Sequence, residues 1–221
     1  MKRLVLLLCI TLIFQSCAPS LSQYQTAATL GEGNKSNTFI LEHTFDAESG
    51  PGRDGSLDVS VGYIHTNGVT NNLDFGYGFG LNNFLNIAGG FHVKRSILKD
   101  KTSINFPVLF KYIDESFNFL DLVEYNDDNK IRVDITPTLL YTYNSNNKSV
   151  KSTLNLQYIM QISDFDIFNN SIYLSHNWEI EAKKLNIYPE IGIQTTDDSE
   201  FLMKAGIGFS FKNINETLIV Q

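Results

Sequence analysis

The sequence predicts an all-β protein, an antiparallel up-and-down transmembrane β-barrel of about ten strands. Apolar and polar residues alternate with a period of two in segment after segment, which is the pattern of β-strands. The alternation continues over 131–143 and over 150–162, well beyond the length of about 5–6 residues that is commonest in soluble proteins. These lengths approach the roughly 9–11 tilted residues with which a β-strand crosses a bilayer.

The alternating segments follow one another along the chain with short polar connections between them. In chain order they are 38–45, 57–63, 73–79, 85–93, 104–112, 131–143, 150–162, 172–180, 185–193 and 201–211. The residues between them predict tight turns, at 66–68, 81–83, 144–149, 182–184 and 196–199. Pro107, Pro137 and Pro189 lie inside alternating segments. Because each proline removes one ladder hydrogen bond, we expect a bulge or a strand end at each.

The two faces of the predicted strands differ in composition. One face carries aliphatic and aromatic residues, and the other carries Gly, Ser, Thr and Asn with scattered charges. Inside a narrow barrel, charges of both signs can pair and glycines leave room for them. We therefore predict a lumen that is occluded by its own side chains and contains a network of charged residues, namely Asp58, Asp74, Lys111, Arg132, Asp134, Lys151, Glu179, Glu190 and Lys204.

The connections are also asymmetric in length. In an up-and-down barrel the two longest, 46–55 and 114–130, fall at the same end, as the long extracellular loops of outer-membrane barrels do. Over residues 36–212 the chain resembles small bacterial outer-membrane β-barrels. This resemblance implies contact with outer-membrane lipids, insertion by the barrel-insertion machinery, and a structural or transport-related role.

The N-terminus carries a second resemblance. Lys2 and Arg3 precede a short apolar run over 4–14, which is too short to span a bilayer, and Ser16 and Cys17 follow. This arrangement resembles the lipobox of bacterial lipoproteins, in which the cysteine is acylated. It implies a signal peptide over 1–16, an acylated tether over 17–35, a barrel over 36–212 and a C-terminal tail over 213–221. It also implies sorting to the outer membrane by the lipoprotein-sorting machinery. We expect no cofactor, only a covalent lipid on Cys17.

Composition excludes some functions. The formal net charge is −7, and removal of Lys2 and Arg3 with the signal peptide lowers it to −9. An acidic chain is unsuited to nucleic acid, whose phosphates require Lys and Arg. Cys9 would leave with the signal peptide, so the mature chain would have no disulfide bond.

The sequence offers little to support catalysis or metal binding. Its four histidines lack metal-ligand spacing, and the acidic loops at 126–129 and 197–200 lack the calcium-loop pattern. A lipid-modifying barrel enzyme would require a serine beside a histidine. Ser175 and His176 are adjacent in sequence but point to opposite faces of one strand. We therefore expect no enzyme and no metal site, and the sequence does not identify a small-molecule ligand.

One alternative architecture shares the N-terminal anchor. A soluble, lipid-anchored β-barrel or β-sandwich that binds a small ligand or a partner protein would also show strands of period two. It would be released into solution once the lipid is removed, whereas a transmembrane barrel would remain in the membrane.

Overall fold

A computed structural model describes residues 24–46, 58–82, 86–113, 130–144, 150–163, 166–182, 185–195 and 201–213. The described residues form eleven strands. They are β1 (Lys35–Asp46), β2 (Asp58–Thr70), β3 (Leu73–Asn82), β4 (Asn86–Leu98), β5 (Thr102–Ile113), β6 (Lys130–Ile135), β7 (Thr138–Asn144), β8 (Val150–Ser163), β9 (Asp166–Ala182), β10 (Leu185–Thr195) and β11 (Phe201–Asn213). No helix among these residues is long and apolar enough to cross a membrane.

The strands form one closed antiparallel barrel. Strands that follow one another in sequence pair with each other, except β6 and β7, and β1 pairs with β11 to close the ring. β6 and β7 together occupy a single position between β5 and β8, because both pair with the same two neighbours. The barrel therefore has ten strand positions, which confirms the predicted up-and-down antiparallel barrel of about ten strands.

The break between β6 and β7 is caused by proline chemistry. The register with β5 is the same on both sides of the break, from Val108 opposite Ile135 to Asn105 opposite Thr138. Pro137 lies in the gap and cannot donate a hydrogen bond, although its carbonyl accepts one from the Tyr158 N–H at 3.1 Å. The strand is interrupted at this point as predicted.

The other two prolines are accommodated within strands. Pro107 lies inside β5, and its carbonyl accepts a hydrogen bond from the Thr136 N–H at 3.1 Å. Pro189 lies inside β10, where the pairing with β9 passes from Ile187 to Glu190. Both strands continue through the proline without a register shift, so the bulge or strand end expected at Pro107 and Pro189 is absent.

The predicted turn at 66–68 is wrong. β2 continues to Thr70, and the chain turns at Asn71 and Asn72. The reason is a backbone contact that the sequence pattern does not show. The Gly68 N–H donates to the Asn34 carbonyl at 2.8 Å, and a Cβ on Gly68 would lie 1.8 Å from the Gly31 carbonyl oxygen. Gly68 therefore permits a close approach inside a strand rather than a turn.

The other predicted turns coincide with the intervals between strands, and their residues lie largely outside the described part of the chain. The same is true of the predicted long loops at 46–55 and 114–130, and of the tail beyond Asn213.

Candidate functional site

The barrel has an apolar outer surface and a polar inner surface. Outward side chains such as Phe79, Leu156 and Ile172 are about half exposed. Inward side chains, by contrast, include acids, lysines, amides and hydroxyls that are almost completely buried. A few apolar residues, among them Ile40, Ile64 and Leu109, pack in the lumen. The lumen is therefore the part of the molecule where polar chemistry is concentrated.

Four residues of the predicted charged network form two ion pairs in the lumen. Lys111 Nζ lies 2.5 Å from Asp134 Oδ2, and Lys151 Nζ lies 3.3 Å from Glu179 Oε2. Lys151 also contacts the more exposed Glu181 at 2.9 Å. Both pairs join neighbouring strands, so they link the wall of the barrel rather than crossing the lumen.

The remaining predicted residues have other partners. Asp74 is fully buried and pairs with Lys94 at 3.2 Å, whereas Lys204 lies 3.9 Å from Glu42. Glu190 accepts a hydrogen bond from the Tyr173 hydroxyl at 3.1 Å. Arg132 lies on the inner face of β6 beside Lys111. Asp58 is the first residue of β2, and its side chain lies outside the described part of the structure.

Glu42 and Lys94 also belong to the charged lumen, although the sequence pattern did not predict them. Both are inward and almost completely buried, with exposed fractions of 1% and 4%. Lys94 follows the inward His92 by two residues, so extending the alternation of β4 by one step would have found it. Glu42 was not predicted because the apolar Ile40 lies on the same inner face of β1. The two faces of this strand therefore differ less in polarity than those of the other strands.

The lumen also contains a segment of the chain itself. Residues 24–34, here called the lumen segment, run through the part of the barrel near the start of β1. Tyr24 and Ala27 within it are 3% and 0% exposed. Within the predicted tether over 17–35, residues 24–28 and Leu30 make hydrogen bonds with the barrel wall, whereas Glu32 and Gly33 are exposed. Cys17 and residues 18–23 lie outside the described residues.

The barrel wall binds the lumen segment mainly through its backbone. Glu190 Oε2 accepts the Tyr24 N–H at 3.0 Å, and Asp74 accepts the Leu30 N–H at 3.0 and 3.2 Å. Further backbone contacts include Thr142 Oγ1 with the Ala27 N–H at 2.8 Å, Asn177 Nδ2 with the Gln25 carbonyl at 3.0 Å, and Lys94 Nζ with the carbonyls of Thr26 and Ala28 at 3.4 and 2.7 Å.

The Tyr24 side chain occupies a buried site in the barrel wall. Its hydroxyl donates to Glu42 Oε2 at 3.1 Å. Burial, reinforced by the negative charges of Glu42 and Glu190, raises the pKa of the Tyr24 phenol well above its usual range. The phenol therefore remains a hydrogen-bond donor at any pH at which the protein is expected to work.

Two glycines of β11 make room for Tyr24. A Cβ on Gly206 would lie 1.9 Å from the Tyr24 hydroxyl, and a Cβ on Gly208 would lie 2.8 Å from the Tyr24 Cβ. Distances this short are not tolerated without movement of the neighbouring side chain. The glycines of β11 thus form a cradle for the ring.

Gly208→Ala should therefore destabilise the folded protein by about 1–3 kcal/mol through overpacking. The measurement is urea unfolding in lipid vesicles, followed by the fluorescence of Trp178, the only tryptophan. In a Tyr24→Gly background the penalty should largely disappear, as a double-mutant cycle would show. Gly89→Ala is the matched control, because its Cβ would meet only the Gly78 carbonyl oxygen at 3.8 Å. Equal effects of the two alanines would contradict the cradle.

A cavity of about 190 Å³ lies beside the lumen segment. Lys151, Glu179, Tyr188 and Ser36 contribute to its lining. This volume is below the roughly 300–1,000 Å³ of typical small-molecule pockets, and it would hold about six water molecules at their liquid volume of about 30 Å³ each. The cavity is better suited to water than to a sizeable ligand.

His176 and His92 lie on opposite faces of the barrel wall. His176 points outward, where its Nε2 lies 3.1 Å from the Tyr143 hydroxyl and its ring packs edge-on against Trp178. Ser175 points inward and accepts a hydrogen bond from Asn155 Nδ2 at 3.0 Å. His92 is buried in the lumen, with its Nε2 3.4 Å from Thr66 Oγ1. Within the described ranges, no three His, Cys, Asp or Glu residues cluster as a metal site would require.

The comparisons with known proteins concern architecture. No family model and no curated protein matches the chain. Similar solved structures include the COG4313 outer-membrane channel from Pseudomonas putida F1, with 9% identity and a TM-score of 0.46 over 86% of this chain and 99% of that one. The translocator domain of autotransporter NalP from Neisseria meningitidis has 8% identity and a TM-score of 0.40, over 82% and 88%. The attachment invasion locus protein Ail of Yersinia pestis has 7% identity and a TM-score of 0.31, over 82% and 99%. Similarities this distant identify no ligand, activity or family.

Proposed function

We propose that this protein is an outer-membrane β-barrel lipoprotein with a closed lumen and a structural or transport-related role. One observation carries the proposal, namely the inverted polarity of the barrel. Large apolar side chains cover the outside, whereas Glu42, Asp74, Glu179 and Glu190 are at most 4% exposed inside. A soluble barrel would bury the apolar side chains and expose the charges. The observed arrangement suits a barrel surrounded by lipid.

Aromatic residues on the outer surface support a membrane location. Tyr143, His176 and Trp178 form one contiguous group towards the ends of β7 and β9. On the other side of the barrel, His65 packs against Tyr77 at a ring separation of 5.1 Å and hydrogen bonds to Asn37. Both groups lie towards the end of the barrel where β1 begins. Amphipathic rings at one level are typical of the aromatic girdle at a membrane interface.

The proposal includes acylation of Cys17. Tyr24 is seven positions after Cys17 in the sequence, and at about 3.3–3.6 Å per residue this connection extends roughly 25 Å at most. This reach is comparable to the height of the apolar band of an outer-membrane barrel, about 25 Å. A lipid on Cys17 could therefore enter the bilayer while Tyr24 remains in the lumen. The lipoprotein-sorting and barrel-insertion machineries would be the partners of the protein during its assembly. We assign the protein no catalytic role.

The test replaces residues 1–17 with an ordinary cleavable signal and extracts the membranes with alkaline carbonate. The unacylated protein should remain in the outer-membrane pellet, because its strands are embedded in the bilayer. Its appearance in the soluble periplasmic fraction would overturn the membrane barrel and favour a soluble, lipid-anchored domain. Metabolic labelling with a palmitate analogue tests the anchor separately, since the intact chain should be labelled and the Cys17→Ala variant should not.

A further inference from the structure

We infer that the lumen segment is a plug that can leave the lumen, and that the barrel without it conducts ions with a preference for cations. This inference rests on the proposed membrane-barrel function. It adds that the lumen is closed by a bound peptide of the chain itself rather than by the wall alone.

The wall holds the lumen segment mainly through hydrogen bonds to the segment's backbone, to which the Tyr24 hydroxyl adds its bond to Glu42. Backbone groups of Tyr24, Gln25, Thr26, Ala27, Ala28 and Leu30 each contact a wall side chain. The bonds to the neutral side chains of Thr142 and Asn177 contribute little net free energy, whereas those to the charged groups of Glu190, Asp74 and Lys94 contribute more. In each case water can replace the lost partner once the segment leaves. The large desolvation penalty of unpaired groups would then not arise, since the vacated space would fill with water.

The barrel does not need the lumen segment to close. The strand pairing is continuous around all ten positions, from β1 through β6 and β7 to β11. The wall also carries its own ion pairs, including Lys111 with Asp134 and Lys151 with Glu179. The segment contributes two buried apolar side chains, Tyr24 and Ala27, to the described lumen. Its loss should therefore leave an assembled barrel.

The charges that face the lumen segment predict the selectivity. Three carboxylates contact it, those of Glu42, Asp74 and Glu190. Lys94 lies beside Asp74 and Lys204 lies 3.9 Å from Glu42, so the carboxylates exceed these ammonium groups by one. When the segment leaves, these carboxylates line the vacated path. Rings of Asp and Glu favour cations in channels, so the unplugged barrel should pass cations in preference to anions.

The experiment compares the intact protein with a variant lacking residues 24–30 in planar lipid bilayers. The intact protein should show no current above baseline, whereas the deletion variant should show discrete conductance steps with a cation-selective reversal potential. A synthetic peptide of residues 24–34 should close the variant when added at about millimolar concentration, which is the effective concentration that a short covalent link provides.

A variant of unchanged length keeps the inference testable if the deletion prevents folding. Ala27→Pro combined with Leu30→Pro removes the two N–H donors that reach Thr142 and Asp74. The barrel of this double variant should therefore show intermittent conductance steps. Ala28→Ser is the matched control, because it keeps every backbone donor and acceptor. This variant should show no current above baseline.

Carbonate extraction of each variant separates this inference from the proposed function. A variant that stays in the membrane pellet but carries no current, or carries an anion-selective one, would overturn the plug and leave the membrane barrel intact. Failure of both variants to assemble would also overturn it, since a segment that can leave cannot be essential to the barrel wall. Current through the intact protein equal to that of the deletion variant would overturn it as well.

Discussion

Asp74→Asn should destabilise the folded protein by about 3–5 kcal/mol, because it leaves the Lys94 charge buried without its carboxylate partner. The exposed fractions of the two side chains are 0% and 4%, so water cannot easily solvate the remaining charge. The same carboxylate accepts both hydrogen bonds from the Leu30 N–H. The substitution therefore also loosens the lumen segment. Urea unfolding in lipid vesicles, followed by Trp178 fluorescence, measures the loss.

Two further variants separate the buried charge from a general effect of substitution. Glu181→Gln changes an exposed partner of Lys151 in the same way, and it should cost at most about 1 kcal/mol. The double variant Asp74→Asn/Lys94→Met removes the unpaired charge and should recover most of the loss. A cost for Asp74→Asn no larger than that for Glu181→Gln would contradict the assignment of a buried ion pair.

Leu156→Arg should destabilise the membrane-embedded barrel by about 2–4 kcal/mol, the cost of an arginine facing lipid near the bilayer midplane. Leu156 is 48% exposed at the middle of β8, and its cross-strand partners are Leu139 and Leu174. In water the same exposed position would tolerate arginine at little cost. The size of the effect thus reports whether lipid surrounds the strand.

The matched control for Leu156→Arg is Ile131→Arg. Ile131 also points outward and is 68% exposed, but it lies one residue from the start of β6, at the rim of the barrel. Arginine at this position should lower the free energy of unfolding by about 0–1 kcal/mol, since charged groups are tolerated near the interface. Equal costs at the two positions would contradict a membrane-embedded barrel, and so would the absence of any cost at Leu156.

The sequence predicted the architecture well because strands carry a strict period of two. The side chains of β8 illustrate this, since Leu154, Leu156 and Tyr158 point outward, whereas Asn155 and Gln157 are fully buried. The turn at 66–68 was mispredicted because glycine near the end of a polar stretch indicates a turn from local chemistry alone. The contact that explains Gly68 comes from Gly31, more than thirty residues away in sequence.

The sequence predicted on which face of its strand each lumen residue lies, but not with which residue it pairs. Asp74 was expected inside, and the register of β3 against β4 decides that Lys94 is its neighbour. Glu190 was also expected inside, and its bond to the Tyr24 N–H could not have been anticipated from the pattern of β10. Strand periodicity determines which way a side chain points, whereas its partner depends on register and on the path of distant chain segments.

The sequence by itself determined the class of this protein. It showed strands of period two, a polar inner face and about ten positions in an up-and-down barrel, because alternation is a local property of each strand. Only the tertiary structure decided what closes the lumen. Residues 24–34 have no period and read as a polar tether, but the carboxylates of Glu42, Asp74 and Glu190 hold them inside the barrel. Those contacts join residues far apart in sequence, so they exist only once the barrel has closed.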